Sequence, residues 1–194
     1  ADLVVHSATK WIDGQGRTLG GVVCGKASLI YDIYLFCRST GPALSPFNAW
    51  VLSKSLDTLE VRMERHAANA LHIAKALQDH PKLAWVKYPF LPGHPQYEIA
   101  KKQMTSGGGI VCFELKGGLE GGRKFLDGLQ MLSLTANLGD VRSIASHPAS
   151  TTHAKLSAAE RETVNITPGL IRISVGLEHA DDILADILQS LEKC

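Results

Sequence analysis

"DLVVHSATKWIDGQG", residues 2–16, is the stretch on which the reading of this chain turns. Leu3, Val4 and Val5 make its first part read as a short buried strand over residues 3–6. Its last part is polar and holds glycines, so it reads as a tight loop. Lys10 stands where the strand gives way to the loop. A lysine there is expected to be partly withdrawn from water, and desolvation favours the neutral, nucleophilic amine. The natural partner of such an amine is the carbonyl of an aldehyde cofactor, joined as a Schiff base. Ser7 and Thr9 add two neighbouring hydroxyls, which together with turn N–H groups suit a phosphate. The competing reading of Lys10 is a solvated charge, and spacing alone leaves both open.

Outward from this stretch, residues 19–24 read as a second Val-rich strand and 28–38 as a short helix. "STGPALSP" is a break. Leu52, Leu56, Leu59, Met63, Ala67, Leu71, Ala74 and Leu77 then recur at spacings of three and four. Ser45 is placed to cap this helix, with Pro46 at its first position. The pattern runs to about residue 80, and one helix of about 34 residues is long for a globular protein. It is expected to be kinked or to bridge two domains.

Beyond Pro81 the elements alternate. "LAWVKYP", "GGIVCFEL", "MLSLTA", "RSIASH" and "GLIRISVG" read as strands, and 94–104, "LEGGRKFLDGL", "SAAERE" and "HADDILADILQSLEK" as helices. Ser157 with Glu160 three residues on is a capping box. The final helix has acidic residues in its first turn and a lysine in its last. This describes an α/β chain whose second part is an α+β domain, a sheet with helices on one face. The expected domains are 1–66 and 67–194.

With 20 basic and 19 acidic residues the net charge is +1, and 45% of the residues are hydrophobic. That balance gives no basic surface for nucleic acid. No apolar run of about 18 residues is present for a membrane span. The start lacks a signal-peptide pattern. It also lacks Met and opens in mid-strand, so a fragment or processed chain is expected. Cys24, Cys37 and Cys112 have apolar flanks and read as buried small hydrophobes, with Cys194 a terminal thiol; this suits a reducing, cytoplasmic setting. His147 and His153 have no partner at zinc spacing, so no metal is expected.

Two further segments carry chemistry. In "LIRISVG", Ile171 and Ile173 face one side while Leu170, Arg172 and Ser174 share the other. An arginine on a half-buried strand needs an anionic partner: a protein carboxylate in a structural ion pair, or a ligand carboxylate in a bidentate clamp. "TANLGDVRS", 135–143, reads as a polar bend between strands. "SGGGI", 106–110, precedes a strand, whereas a phosphate loop follows one, so it reads as a flexible turn.

Together these segments resemble the Cys/Met-metabolism family of pyridoxal-phosphate enzymes. "DLVVHSATKWIDGQG" is similar to that family's cofactor-attachment signature, and the likeness continues through "GPALSPFNAW", "RMERHAANA", "LGDVRS", "HPASTTH" and "GLIRISVGLE", in family order over essentially the whole chain. The resemblance implies the aspartate-aminotransferase type fold, with 1–66 the end of the large cofactor domain and 67–194 the small domain. It implies that Lys10 bonds pyridoxal 5'-phosphate, that Ser7 and Thr9 bind its phosphate, and that Arg172 grips the substrate carboxylate. Asn137 stands where many members have a carboxylate-assisting serine, and it would offer an amide donor.

The bend and "DGQGR" are similar to those of O-succinylhomoserine and O-acetylhomoserine sulfhydrylases. That implies a γ-replacement of the acyloxy group by sulfide, giving homocysteine for methionine biosynthesis. Cystathionine γ-synthase and methionine γ-lyase are the sibling alternatives. Family members carry a further N-terminal half ahead of residue 1, and neighbouring subunits of a dimer of dimers complete the site. These residues alone are therefore expected to be a poor catalyst, and a non-catalytic fragment is the remaining alternative.

Overall fold

The opening strand forms as β1 (Leu3–Ser7) and pairs antiparallel with β2 (Gly21–Gly25), Val5 opposite Val23. The structure, a computed structural model, describes residues 1–194, and the chain divides into two compact units, Ala1–Glu60 and Val61–Cys194. β1 is not buried as its composition suggests. All five of its residues are exposed, and Val5 keeps 73% of its surface. The reason is topological: β1 and β2 form a sheet of two strands, and such a ribbon has two open faces.

A π-helical turn (Ala8–Ile12) follows β1 directly, where a loop was expected. The next helix, α1 (Ala27–Thr40), is longer than the expected one and buries none of its residues. It ends at Gly41, whose φ of 91° suits glycine and whose N–H returns to the Cys37 carbonyl. In α2 (Pro46–Leu56), the Ser45 hydroxyl accepts from Asn48 N–H at 3.1 Å, as the capping pattern implied.

The expected long helix is two helices. α2 stops at Leu56, and α3 (Leu59–Leu77) begins after a break at Asp57 and Thr58. Ser55 supplies the cause. Its hydroxyl donates back to the Val51 carbonyl at 2.7 Å and accepts from Arg17 Nη2 at 2.7 Å. Such back-bonding bends a helix, and the following Thr58 turns onto the Ser55 carbonyl.

Residues 61–194 form a five-stranded sheet in the order β3 (Leu83–Lys87), β4 (Ile110–Leu115), β7 (Leu170–Ser174), β6 (Ile144–Ser146), β5 (Ser133–Leu134). Neighbours are antiparallel except β5 and β6. Four helices accompany the strands: α4 (Tyr97–Gln103), α5 (Gly118–Gly128), α6 (Ala158–Thr163) and α7 (Ala180–Leu191). α6 carries the capping box of Ser157 and Glu160 in full.

The core joins Val111 and Phe113 of β4, Ile171 and Ile173 of β7, and apolar residues of α3, α5 and α7. Phe113 and Phe125 pack edge-on, with ring centroids 5.4 Å apart. This is the helix-covered face read from the alternation in β7. The opposite face keeps Cys112, Glu114 and Arg172 half-buried. "SGGGI" is held where a flexible turn was expected: the Tyr88 hydroxyl bonds the Gly108 carbonyl at 2.9 Å, and a Cβ at Gly107 would strike the Tyr88 ring.

The cysteines depart from their apolar flanks. Cys24 is exposed on the open ribbon, while Cys37, Cys112 and Cys194 are half-buried; all four are free thiols. No helix is long and apolar enough to cross a membrane.

Candidate functional site

Within Ala1–Glu60, the π turn sets the lysine's environment. Asp13 N–H bonds the Ala8 carbonyl at 2.9 Å, and Gly14 N–H bonds the Lys10 carbonyl at 2.8 Å. Inside this turn Lys10 departs from helical geometry, with φ −90° and ψ −119°, and is half-buried.

The loop after it is stapled by two residues that motif reading did not single out. Asp13, 1% exposed, accepts from Arg17 Nε at 3.0 Å and from Arg17 N–H at 2.6 Å. Arg17 Nη2 reaches the Asp13 carbonyl at 3.0 Å and the Ser55 hydroxyl at 2.7 Å. Gly14 and Gly16 take the positive φ angles of 70° and 64° that the loop requires. The spacing of an acid four residues before an arginine, with glycines between, was the available signal.

The two hydroxyls differ. Thr9 is engaged: its oxygen accepts from Gly20 N–H at 3.0 Å and its hydroxyl donates to the Gly20 carbonyl at 3.3 Å. Ser7, exposed at the end of β1, makes no side-chain bond to its own helix. An amine and a hydroxyl three residues apart, with the intervening turn fixed by Thr9, fit a ligand carrying an aldehyde and a phosphate. Thr9 first holds the turn, and it donates outward only by releasing the long bond to Gly20.

Within Val61–Cys194, Arg172 lies on β7 opposite Cys112 of β4 and Ser146 of β6. Its Nη2 donates to the carbonyls of Ala136 and Asn137 at 3.1 and 3.2 Å. No protein carboxylate pairs with it, so the structural ion pair considered above is not formed. Its Nε is buried with no hydrogen-bond partner. Burial holds its pKa below the ordinary arginine value, with the Cys112 thiol opposing; the group remains a cation. Burial in turn pushes the Cys112 thiol up against the pull of Arg172 and Lys87, which leaves Cys112 a thiol rather than a thiolate nucleophile. The structure brings Asn137 to Arg172 through its backbone carbonyl.

This donor set suits a carboxylate. The guanidinium is steadied by two neutral acceptors at Nη2 and keeps an unpaired buried Nε–H, which an anionic oxygen satisfies.

Comparison with known proteins gives one consistent result. Residues 1–192 match the family model described as Cys/Met metabolism PLP-dependent enzyme. An O-succinylhomoserine sulfhydrylase of Pseudomonas aeruginosa is 47% identical over 191 residues, 98% of this chain and 47% of that protein. An L-methionine gamma-lyase of Porphyromonas gingivalis is 44% identical over 99% of this chain and 49% of its own length. The crystal structure of a cystathionine gamma synthase from Xanthomonas oryzae pv. oryzae, in complex with aminoacrylate and cysteine, superposes with a TM-score of 0.95 at 39% identity, covering 100% of this chain and 50% of that one. The chain thus spans about half the length of the relatives it matches.

Proposed function

Because the chain belongs to the Cys/Met-metabolism family of pyridoxal-phosphate-dependent enzymes, we propose that it carries the cofactor-bonding and carboxylate-gripping residues of an O-acylhomoserine sulfhydrylase. The substrates are O-succinyl- or O-acetyl-homoserine and sulfide, and the product is homocysteine. In this reading residues 1–66 end the cofactor domain and 67–194 are the small domain. Its principal support is Arg172, a guanidinium on an inner strand with two carbonyl tethers, no carboxylate partner and a buried unpaired Nε. Likeness to the O-succinylhomoserine sulfhydrylase of Pseudomonas aeruginosa supports the choice of reaction.

Pyridoxal phosphate, when bound, supplies the electron sink for carbanion chemistry. Lys10 is the amine that bonds its aldehyde and, once freed, takes and returns the proton at the substrate Cα. Ser7 donates to the phosphate while Thr9 and Asp13 hold the turn. Arg172 orients the substrate carboxylate and with it the Cα–H bond. Asn137 lines the grip. Four free thiols fit a reducing, cytoplasmic setting. The exposed apolar surface of Ala1–Glu60 fits completion by further chain of the same enzyme and by other copies of it.

Borohydride reduction of the cofactor-loaded protein, followed by peptide mass analysis, tests the assignment. The cofactor mass is expected on the peptide holding Lys10 and is lost in Lys10→Ala. Attachment at Lys26 or Lys54 instead overturns it. Likeness to cystathionine gamma synthase and methionine gamma-lyase favours a second reading, in which cysteine replaces sulfide as the acceptor or the γ-substituent is eliminated with no acceptor. Product analysis with sulfide and with cysteine separates the two.

A further inference from the structure

Two backbone segments meet at Ser143. Its N–H donates to Glu178 Oε1 at 2.6 Å, and its hydroxyl donates to Glu178 Oε2 at 2.9 Å. The same hydroxyl oxygen accepts from Gly176 N–H at 2.9 Å. One carboxylate therefore clasps one residue through both of its oxygens, the stronger class of hydrogen bond. Two further bonds run between the same segments: Leu177 N–H to the Val141 carbonyl at 2.8 Å, and Gly139 N–H to Ser174 Oγ at 2.9 Å.

The segment after β7 is itself anchored. Asn69 of α3 donates from Nδ2 to the carbonyls of Gly176 and Glu178 at 3.0 and 2.9 Å. Gly176 has no spare room, since a Cβ there would collide with the Glu178 carboxylate, Ser143 N and the Val141 carbonyl.

The bend that Glu178 clasps at one end supplies the tethers of Arg172 at the other. Ala136 and Asn137 open it, and their carbonyls take both bonds of Nη2. The bend has almost no regular structure of its own, so these tethers decide where it lies. With Nη2 committed to two carbonyls, the direction of the remaining guanidinium donors follows the position of the bend.

We propose that Glu178, acting through Ser143, is a positioning residue for the substrate-carboxylate grip of Arg172. The inference rests on the proposed role of Arg172 and adds the element that aims it.

The test is steady-state kinetics of the complete cofactor-loaded enzyme, residues 1–194 together with the further chain proposed above, with O-succinyl-L-homoserine and sulfide. Glu178→Ala is expected to raise KM about tenfold with kcat changed less than about threefold, because it loosens substrate binding rather than the chemistry. Glu178→Gln keeps one acceptor for Ser143 N–H and should fall between wild type and Ala. Cofactor content should stay unchanged in both. The double variant with Ser143→Ala should lose less than the sum of the two single variants, since Glu178 and the Ser143 hydroxyl share one device. Exchange of the Ser143 amide hydrogen should quicken.

Wild-type KM in a folded Glu178→Ala or Glu178→Gln protein overturns the proposal, as does additive loss in the double variant. If Glu178→Ala does not fold, Glu178→Gln decides. Arg172→Lys separates this inference from the reading beneath it. If Arg172→Lys leaves KM unchanged, Arg172 is not the grip; if it raises KM while the Glu178 variants do not, only the positioning role fails.

Discussion

His66 sits fully buried in α3, with Nδ1 2.6 Å from the Val175 carbonyl oxygen. Burial holds its imidazole below the ordinary value of 6.5, the Val175 bond pulling the other way. As pH falls the unfolded chain therefore takes up this proton first, so stability present above about pH 6.5 declines below it. The urea midpoint should drop between about pH 6.5 and pH 5, and His66→Gln, which keeps a donor for Val175, should flatten that drop. An unchanged slope in the variant assigns the effect elsewhere. At this scale the candidates Lys10 and Arg172 can be singled out from sequence because each stands out locally, as a lysine at a strand end or an arginine among aliphatics, and Ser7 and Thr9 follow as hydroxyls beside the lysine. Glu178 and Ser143 were not visible, because 35 residues separate them and neither is unusual among its neighbours.

Between elements, Asp186 of α7 binds the approach to β5. Its carboxylate accepts from the N–H groups of Gln130 and Met131 at 2.9 Å and of Leu132 at 3.0 Å. Burial works to raise its pKa, but the bonds from Leu132, Gln130 and Met131 outweigh it and hold the carboxyl below the usual carboxylate range. This explains why "MLSLTA" yields only the two-residue β5: three donors just ahead of the strand go to a side chain rather than to a ladder. Removing the carboxylate strands them. Asp186→Ala should cost about 3 kcal/mol and Asp186→Asn roughly half of that, read from urea unfolding. A loss under about 1 kcal/mol in the Ala variant would contradict this account. Helix caps were legible because Ser45 and Ser157 act within one turn. The end of α2 was not, because it depends on Arg17 meeting Ser55 across 38 residues.

For the whole chain, burial is unevenly shared. Val61–Cys194 holds the extended apolar core, whereas Ala1–Glu60 leaves Val5, Leu19, Tyr31, Phe36, Phe47 and Trp50 more than half exposed. Residues 61–194 produced alone should unfold cooperatively and bind little hydrophobic dye, while 1–60 alone should bind dye strongly and self-associate. Equal dye binding by the two pieces would contradict this. The misreading of β1 has the same origin: an aliphatic strand announces that it will be covered, but not whether the covering atoms lie in the same stretch of chain.

The tethers of the bend around residues 136–143 have a consequence for inheritance. Those at Ala136, Asn137 and Val141 are made by backbone carbonyls, so they place few demands on which side chains stand there, whereas Gly139, at a φ of 80°, is held to glycine. Arg172, by contrast, is locked into a strand laddered on both edges. A lineage can therefore rewrite much of the lettering of the bend while the main-chain tethers that hold Arg172, the proposed carboxylate anchor, stay in place.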